Sequence, residues 1–126
     1  MSQTDTAKIN TLNKRSENLS KVDVDSSSYL AQEALTLAKE VNFKRGIAAA
    51  TKNLAICNYV NGKSDIAIKQ FIEAIKLFEE LKDINELAHC YSQMGIAYYL
   101  QYQYDNALKY YDKSSELYKK PPIKKI

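Results

Sequence analysis

The sequence contains few of the residues that interrupt helices or build redox and metal sites. Of its 126 residues only three are glycine, two are proline, two are cysteine and one is histidine, and there is no tryptophan. Scarce glycine and proline, with abundant alanine, leucine, lysine and glutamate, favour helix over sheet. Cys57 and Cys90 stand far apart and form no CxxC motif, so we interpret them as two small buried apolar residues.

Long apolar segments are also missing. No run approaches the ~20 apolar residues of a membrane span, and the opening "MSQTDTAKIN" lacks the basic and apolar regions of a signal peptide. We therefore expect no membrane span and a cytoplasmic location, or a periplasmic one if a leader was removed before residue 1. The length is that of one domain.

The formal net charge of +3 comes from the end of the chain. Lys119, Lys120, Lys124 and Lys125 lie in the last eight residues, which contain no acid, so the rest of the chain has a charge of −1. Along the helices, basic residues alternate with acidic ones, whereas a nucleic-acid groove requires them on one face. We expect no nucleic-acid partner, and we treat residues 120–126 as a basic tail.

Catalytic signatures are absent as well. His89 is the sole histidine, and neither a nucleophile with an orienting acid nor a second metal ligand accompanies it in the sequence. No phosphate-binding glycine motif occurs. We expect a protein that is not an enzyme and binds neither a metal nor a cofactor.

What the sequence does contain is a repeat with a period of 40 residues. Residues 47–80 align with 87–120 without a gap, and seven positions are identical. The periodic positions form four series, which are Ala34/Ala74/Ser114, Leu37/Leu77/Leu117, Ala31/Phe71/Tyr111 and Ser27/Ala67/Ala107.

Each unit contains two amphipathic helices separated by a short break, because apolar residues recur at intervals of three and four. The predicted helices span about 26–42, 46–61, 64–81, 85–101 and 104–119. Gly62 follows one helix as a C-terminal signal, and Ser64 is placed to cap the next. Asp83 and Glu86 have the spacing of a capping box.

These residues resemble the tetratricopeptide repeat, a helix-turn-helix unit. In residues 87–118 the family's signature positions are occupied by Tyr91, Met94, Gly95, Tyr98, Ala107, Tyr111 and Ser114, and a weaker copy reads Thr51, Leu54, Ala55, Asn58, Ala67, Phe71 and Ala74. The resemblance implies an all-α, right-handed α-solenoid of about two and a half repeats over residues 26–119, with a concave groove.

The N-terminal segment, residues 1–25, is predicted to be partly helical. Thr6–Leu19 would form the first helix of the earliest unit, but its spacing is one residue short and Arg15 falls where the family has leucine. We therefore expect this helix to pack incompletely or to fray.

The resemblance also implies which residues line the groove. In the family, the first helix of each unit supplies the concave face, and the matching candidates here are Lys52, Asn53, Ile56, Tyr59, His89, Ser92, Gln93, Ile96 and Tyr99. This mixture of apolar, aromatic and amide side chains suits a peptide. Ile56 and Gln93 replace asparagines of the family's carboxylate clamp, so we do not expect that clamp.

The last helix predicts a second contact. It is more polar than its equivalent one unit earlier, yet it keeps Leu108, Tyr110 and Tyr118, which we predict to support self-association because repeat stacks need covered ends. The leading hypothesis is a noncatalytic protein-interaction scaffold that binds a protein or peptide and forms a homo-oligomer. The alternative is a sensory or regulatory fragment of a larger bacterial signalling protein, because "DTAKINTLN" followed by "AQEALTLAKE" is similar to the repeat arrays of bacterial sensor kinases and response regulators.

Overall fold

The computed structural model describes residues 2–119 as an all-α chain of six helices. The predicted bounds of the last five helices differ from the observed ones by two residues or fewer. None of these helices is long and apolar enough to cross a membrane, and the predicted basic tail lies outside the described residues. The helices are α1 (Gln3–Leu19), α2 (Val24–Glu40), α3 (Lys44–Val60), α4 (Ser64–Glu80), α5 (Ile84–Leu100) and α6 (Tyr104–Tyr118).

The 40-residue period arises from a helix and a turn that recur every 20 residues from α2 onward. Each of the last four turns is three residues long, and its middle residue has a positive φ, between 54° and 80°. The residue after it donates its N–H to the carbonyl five residues earlier, as Lys63 does to Asn58 at 2.8 Å. This is the Schellman arrangement, which satisfies carbonyls at a helix end. The four middle residues are Asn42, Gly62, Lys82 and Tyr102.

The N-termini of the helices are capped less uniformly than their C-termini. Asp83 caps α5, because its carboxylate accepts the N–H of Glu86 at 3.2 Å. The predicted capping box is only half formed, since the Glu86 side chain pairs with Lys52 on α3, in the preceding helix pair. Ser64 is the first residue of α4 and not its cap, and no side chain caps that helix.

Small residues bring the two helices of each pair close together. In the series Ser27/Ala67/Ala107 and Ala34/Ala74/Ser114, every member is at most 4% exposed. A Cβ atom added at Gly95 would lie 2.7 Å from the ring of Tyr111 and 3.2 Å from the carbonyl oxygen of Ala107. The glycine is therefore required by close contact between α5 and α6, as its position in the repeat predicts.

The pairs stack so that the odd-numbered helices form one side. Helix α1 contacts α3, and α3 contacts α5, whereas the even-numbered helices of the described chain do not contact one another. The stack therefore curves toward the odd helices, and we call their exposed side the inner face. The expected all-α helix-turn-helix stack is confirmed.

The first helix was expected to pack incompletely or to fray, and the structure corrects this expectation. Helix α1 is continuous, and it buries Ile9, Leu12 and Ser16 against α2 and α3. The turn of residues 20–23 is one residue longer than the others, so the spacing from α1 to the next helix pair is one residue long and not one residue short. In this register Arg15 is exposed and Ser16 faces α2, where its hydroxyl donates to the Ser27 carbonyl at 2.8 Å. The half repeat is thus completed to a third helix pair.

We predict that Gly95→Leu lowers the free energy of unfolding by at least about 1 kcal/mol, even though leucine is the better helix former, because the added atoms collide with Tyr111. Urea unfolding followed by circular dichroism measures the change. Asn85→Leu is the control, since it adds a leucine at an exposed position of the same helix and should change stability by less than about 0.5 kcal/mol. Equal effects of the two substitutions would contradict the close crossing.

The turns give a second prediction, with opposite signs at equivalent positions. Gly62 has φ +80° and nothing within 4 Å of an added Cβ, so Gly62→Ala should cost about 1 kcal/mol from backbone strain alone. Lys82 already has φ 56°, so Lys82→Gly should stabilise the protein by up to about 1 kcal/mol. Thermal unfolding of both variants checks this, and shifts of the same sign in both would argue against the shared turn.

Candidate functional site

The nine predicted groove residues all lie on α3 and α5, but they differ greatly in accessibility. On α3, Lys52, Asn53, Ile56 and Tyr59 are each less than 5% exposed. The cause is position, because α3 lies between α1 and α5 whereas α5 has an odd-numbered neighbour on one side only. On α5, Gln93 is buried, His89, Ser92 and Ile96 are half-buried, and Tyr99 is 54% exposed.

Lys52 is a buried cation with two partners on α5. Its Nζ lies 2.8 Å from a Glu86 carboxylate oxygen and 3.3 Å from Nδ1 of His89. Burial lowers the pKa of His89, and the positive charge of Lys52 lowers it further, so the ring stays neutral and its Nδ1 can accept a hydrogen bond from the ammonium. Lys52 therefore ties α3 to α5. Lys52 is thus buried and paired, which corrects the expectation that it lines an open groove. Removing one partner of a buried pair is strongly destabilising.

Tyr59 is also structural. Its ring packs on Phe71 with centroids 6.3 Å apart, and its hydroxyl donates to the Gln93 side chain on α5. Lys21 lies over the ring with its Nζ 5.7 Å from the centroid. Tyr59 and Tyr99 are both predicted groove residues, but only Tyr99 is accessible.

Asn13 on α1 also lies at the inner side of the stack, but it is not among the predicted groove residues. Its Nδ2 donates to the Gly46 carbonyl at 3.1 Å, and Nδ2 of Asn53 donates to the Asn13 carbonyl at 3.0 Å. Neither side-chain oxygen accepts a hydrogen bond from residues 2–119. The two amides thus join α1 to α3, and the only sequence signal was a pair of asparagines 40 residues apart.

Two cavities open beside these residues. The first, which we call the polar cavity, has a volume of about 220 Å³ and lies between α1, α3 and the start of α5. Its charges are largely compensated internally, since Arg45 pairs with Asp83 and Lys52 with Glu86. Its main lining residues are Asn13, Glu17, Arg45, Lys52, Asn53 and Glu86.

The second, which we call the turn-edge cavity, has a volume of about 790 Å³. It lies where the α3–α4 turn, the end of α5 and the α1–α2 turn meet. Its walls are mainly apolar, and three of the side chains are between 42% and 49% exposed. The residues that define it are Lys21, Tyr59, Val60, Ile66, Ile96 and Leu100.

The residues predicted for self-association lie on the last helix, but in different settings. Leu108 and Tyr118 are 59% and 55% exposed, whereas their equivalents one unit earlier, Ile68 and Phe78, are at most 9% exposed. Tyr110, in contrast, stacks within the chain between the rings of Tyr91 and Tyr98, at centroid distances of 6.1 and 5.3 Å. We therefore keep Leu108 and Tyr118 as the accessible members of this set.

The two cysteines are free and buried. Burial raises the pKa of Cys90 to about 12 and also raises the pKa of Cys57, so both thiols stay protonated and unreactive at neutral pH. Within residues 2–119, no group of three or more His, Cys, Asp or Glu side chains is arranged to hold a metal ion.

Comparison with known proteins agrees with this architecture. The family described as tetratricopeptide repeat matches residues 46–120. Among solved structures, the tetratricopeptide repeat domain of Arabidopsis FLU superimposes with a TM-score of 0.76 at 15% sequence identity, over 89% of this chain and 95% of that one. No curated protein sequence matches significantly. Since the family match covers more than half of the residues, the chain belongs to the tetratricopeptide repeat family.

Proposed function

We propose that the chain is a noncatalytic scaffold that holds a peptide segment of another protein on its inner face, mainly through α5. The observation that carries this proposal is the accessibility of α5. His89, Ser92, Ile96 and Tyr99 lie on one helix and keep exposed surface, and Ile96 also lines the turn-edge cavity. Tetratricopeptide repeats act as protein-interaction scaffolds, so a partner polypeptide is the natural occupant of this surface.

The dimensions of the inner face agree with a short segment. Three odd helices at interaxial distances of 8–10 Å present a surface about 20 Å across. An extended peptide advances about 3.3 Å per residue, so about six residues would cross that surface. Exposed tyrosine is well suited to such contacts, because its ring is rigid and carries a polar end.

We predict that Tyr99→Ala raises the Kd for a bound peptide at least about tenfold, or ~1.4 kcal/mol, because an exposed inner-face ring is lost. The ligands are peptides enriched from a random phage-displayed library on the wild-type chain, resynthesised and measured by fluorescence polarisation. Tyr29→Ala is the matched control, since Tyr29 is 73% exposed on α2 and its loss should change Kd less than about twofold.

Amide chemical-shift mapping with the same peptides adds an independent readout. Shifts concentrated on α3 and α5 support the proposal, and shifts confined to α2, α4 and α6 overturn it. Failure of the wild-type chain to enrich any peptide also overturns it. Lys52 and Tyr59 are unsuitable test positions, because both are buried and tie α3 to α5.

We further propose self-association through the exposed face of α6. The positions of Leu108 and Tyr118 are covered by the following unit in the preceding repeat, and the residues remain apolar here. A second copy is the occupant that this periodicity favours, since the positions retain the side-chain type that a repeat neighbour buries. The alternative of a sensory array in a larger bacterial protein is compatible with both proposals, and a kinase domain or membrane span encoded downstream would favour it.

Self-association predicts a mass that rises above the monomer's 14.4 kDa with concentration in size exclusion coupled to light scattering. Leu108→Lys should keep the mass at the monomer value, because a charge replaces an apolar contact. Ile72→Lys should behave like the wild type, since Ile72 is comparably exposed but lies on α4. A wild-type mass that stays monomeric over the whole range, or equal effects of both substitutions, would exclude this interface.

A further inference from the structure

The turn-edge cavity collects exposed apolar side chains that belong to three separate segments. Val60 ends α3, Ile66 lies in the first turn of α4, and Leu100 ends α5. These three are 42%, 49% and 47% exposed, and all of them border the same volume of about 790 Å³. Large apolar side chains that converge on one concavity are typical of a binding site, whereas scattered ones are not.

Two lysines and one acidic residue line this cavity, so its charge is net positive. Lys21 and Lys63 both line it, and within residues 2–119 neither forms a salt bridge. The single acid in the lining, Asp65, accepts a hydrogen bond from the Gln101 side chain. No side chain caps the start of α4, whose partial positive charge is partly offset by Asp65 in its first turn, so the two lysines supply the charge of the rim. The rim thus attracts a carboxylate while the walls accept an apolar side chain.

From this geometry we propose that the turn-edge cavity recognises an acidic and apolar peptide segment, in which a large apolar side chain enters the cavity and a neighbouring Asp or Glu faces Lys21 and Lys63. The proposal rests on the proposed function and names the chemistry of its partner. It also places recognition at the edge formed by the turns, away from the polar cavity, whose charges are already paired.

Charge argues against the chain's own end as the occupant. The sequence "KKPPIKKI" supplies apolar residues, but it carries four lysines and no acid. Like charges near Lys21 and Lys63 would repel it, whereas opposite charges steer association and fix register. The favoured occupant is therefore a segment of another protein with net negative charge.

The test is a charge reversal of the cavity rim. A random peptide library is panned on the wild-type chain and on the double variant Lys21→Glu, Lys63→Glu. Wild-type pools should be enriched in Asp and Glu beside Leu, Ile or Phe, and pools from the double variant should be enriched in Lys and Arg. A second double variant, Lys8→Glu with Lys39→Glu, reverses two exposed charges outside the cavity and should select the wild-type pool.

The apolar half of the proposal is tested by Leu100→Ser, which should raise the Kd of an enriched acidic peptide about tenfold through lost burial. Ile72→Ser, at a similarly exposed position of α4, should leave that Kd within about twofold. Affinity for the wild type should also fall with added salt, since the rim charges are exposed and screened.

The outcomes separate this proposal from the proposed function. If the wild-type pool shows no acidic excess, or is unaltered by the rim reversal, or gives amide shifts that spare residues 96–101, recognition in this cavity is overturned while peptide binding on the inner face stands. If no peptide is enriched on the wild-type chain, both proposals are overturned.

Discussion

The close approach of the two helices in each pair is the constraint on which the rest of this structure depends. At the crossings, two of the repeat series hold only alanine or serine, and all their members are buried. Serine is accepted there because its hydroxyl bonds a carbonyl of the facing helix, as Ser114 does to Ala88 at 2.7 Å. A larger side chain would separate the helices and misalign every later pair, since each pair packs only on its neighbours.

Position in the stack then decides what each repeated residue does. Tyr59 and Tyr99 are equivalent in sequence, yet the first is 4% and the second 54% exposed. The same contrast holds for Phe78 on α4, which is buried, and its equivalent Tyr118 on the last helix, which is exposed. Because a stack buries interior units and leaves the last one open, the terminal copy of a position is available for binding while the interior copy stabilises the fold.

Much of the fold could be predicted because the repeat specifies it locally. Apolar spacing located five helices to within two residues, and small residues marked the crossings. Helix α1 was harder to predict, because its register is shifted by one residue and the extra residue lies in a turn. Two of its four buried positions hold Asn13 and Ser16, whose polar side chains form hydrogen bonds to carbonyls. The periodicity of apolar residues does not detect such positions.

The candidate site could be predicted less well. A position in the family's repeat indicates which side of the helix a residue faces, but not which residues of the next unit contact it. Lys52 does point to the inner side, but Glu86 approaches from the next unit and neutralises it. The spacing of Asp83 and Glu86 predicted a capping box, which is a local interaction. The Glu86 side chain instead pairs with Lys52, which is distant in sequence. The turn-edge cavity had no sequence signal, because its walls come from the ends of α3 and α5 and the start of α4.

The polar contacts that join α5 to α3 and α4 affect binding as well as stability. Lys52 joins Glu86 near the start of α5, Tyr59 joins Gln93 in its middle, and Asp65 joins Gln101 just beyond its end. These three links fix α5 against α3 and α4 along its whole length. A surface that is already held in place loses little conformational entropy when it binds. The buried residues of α3 therefore hold the exposed residues of α5 in place. Such preorganisation is what the proposed binding of a flexible peptide requires.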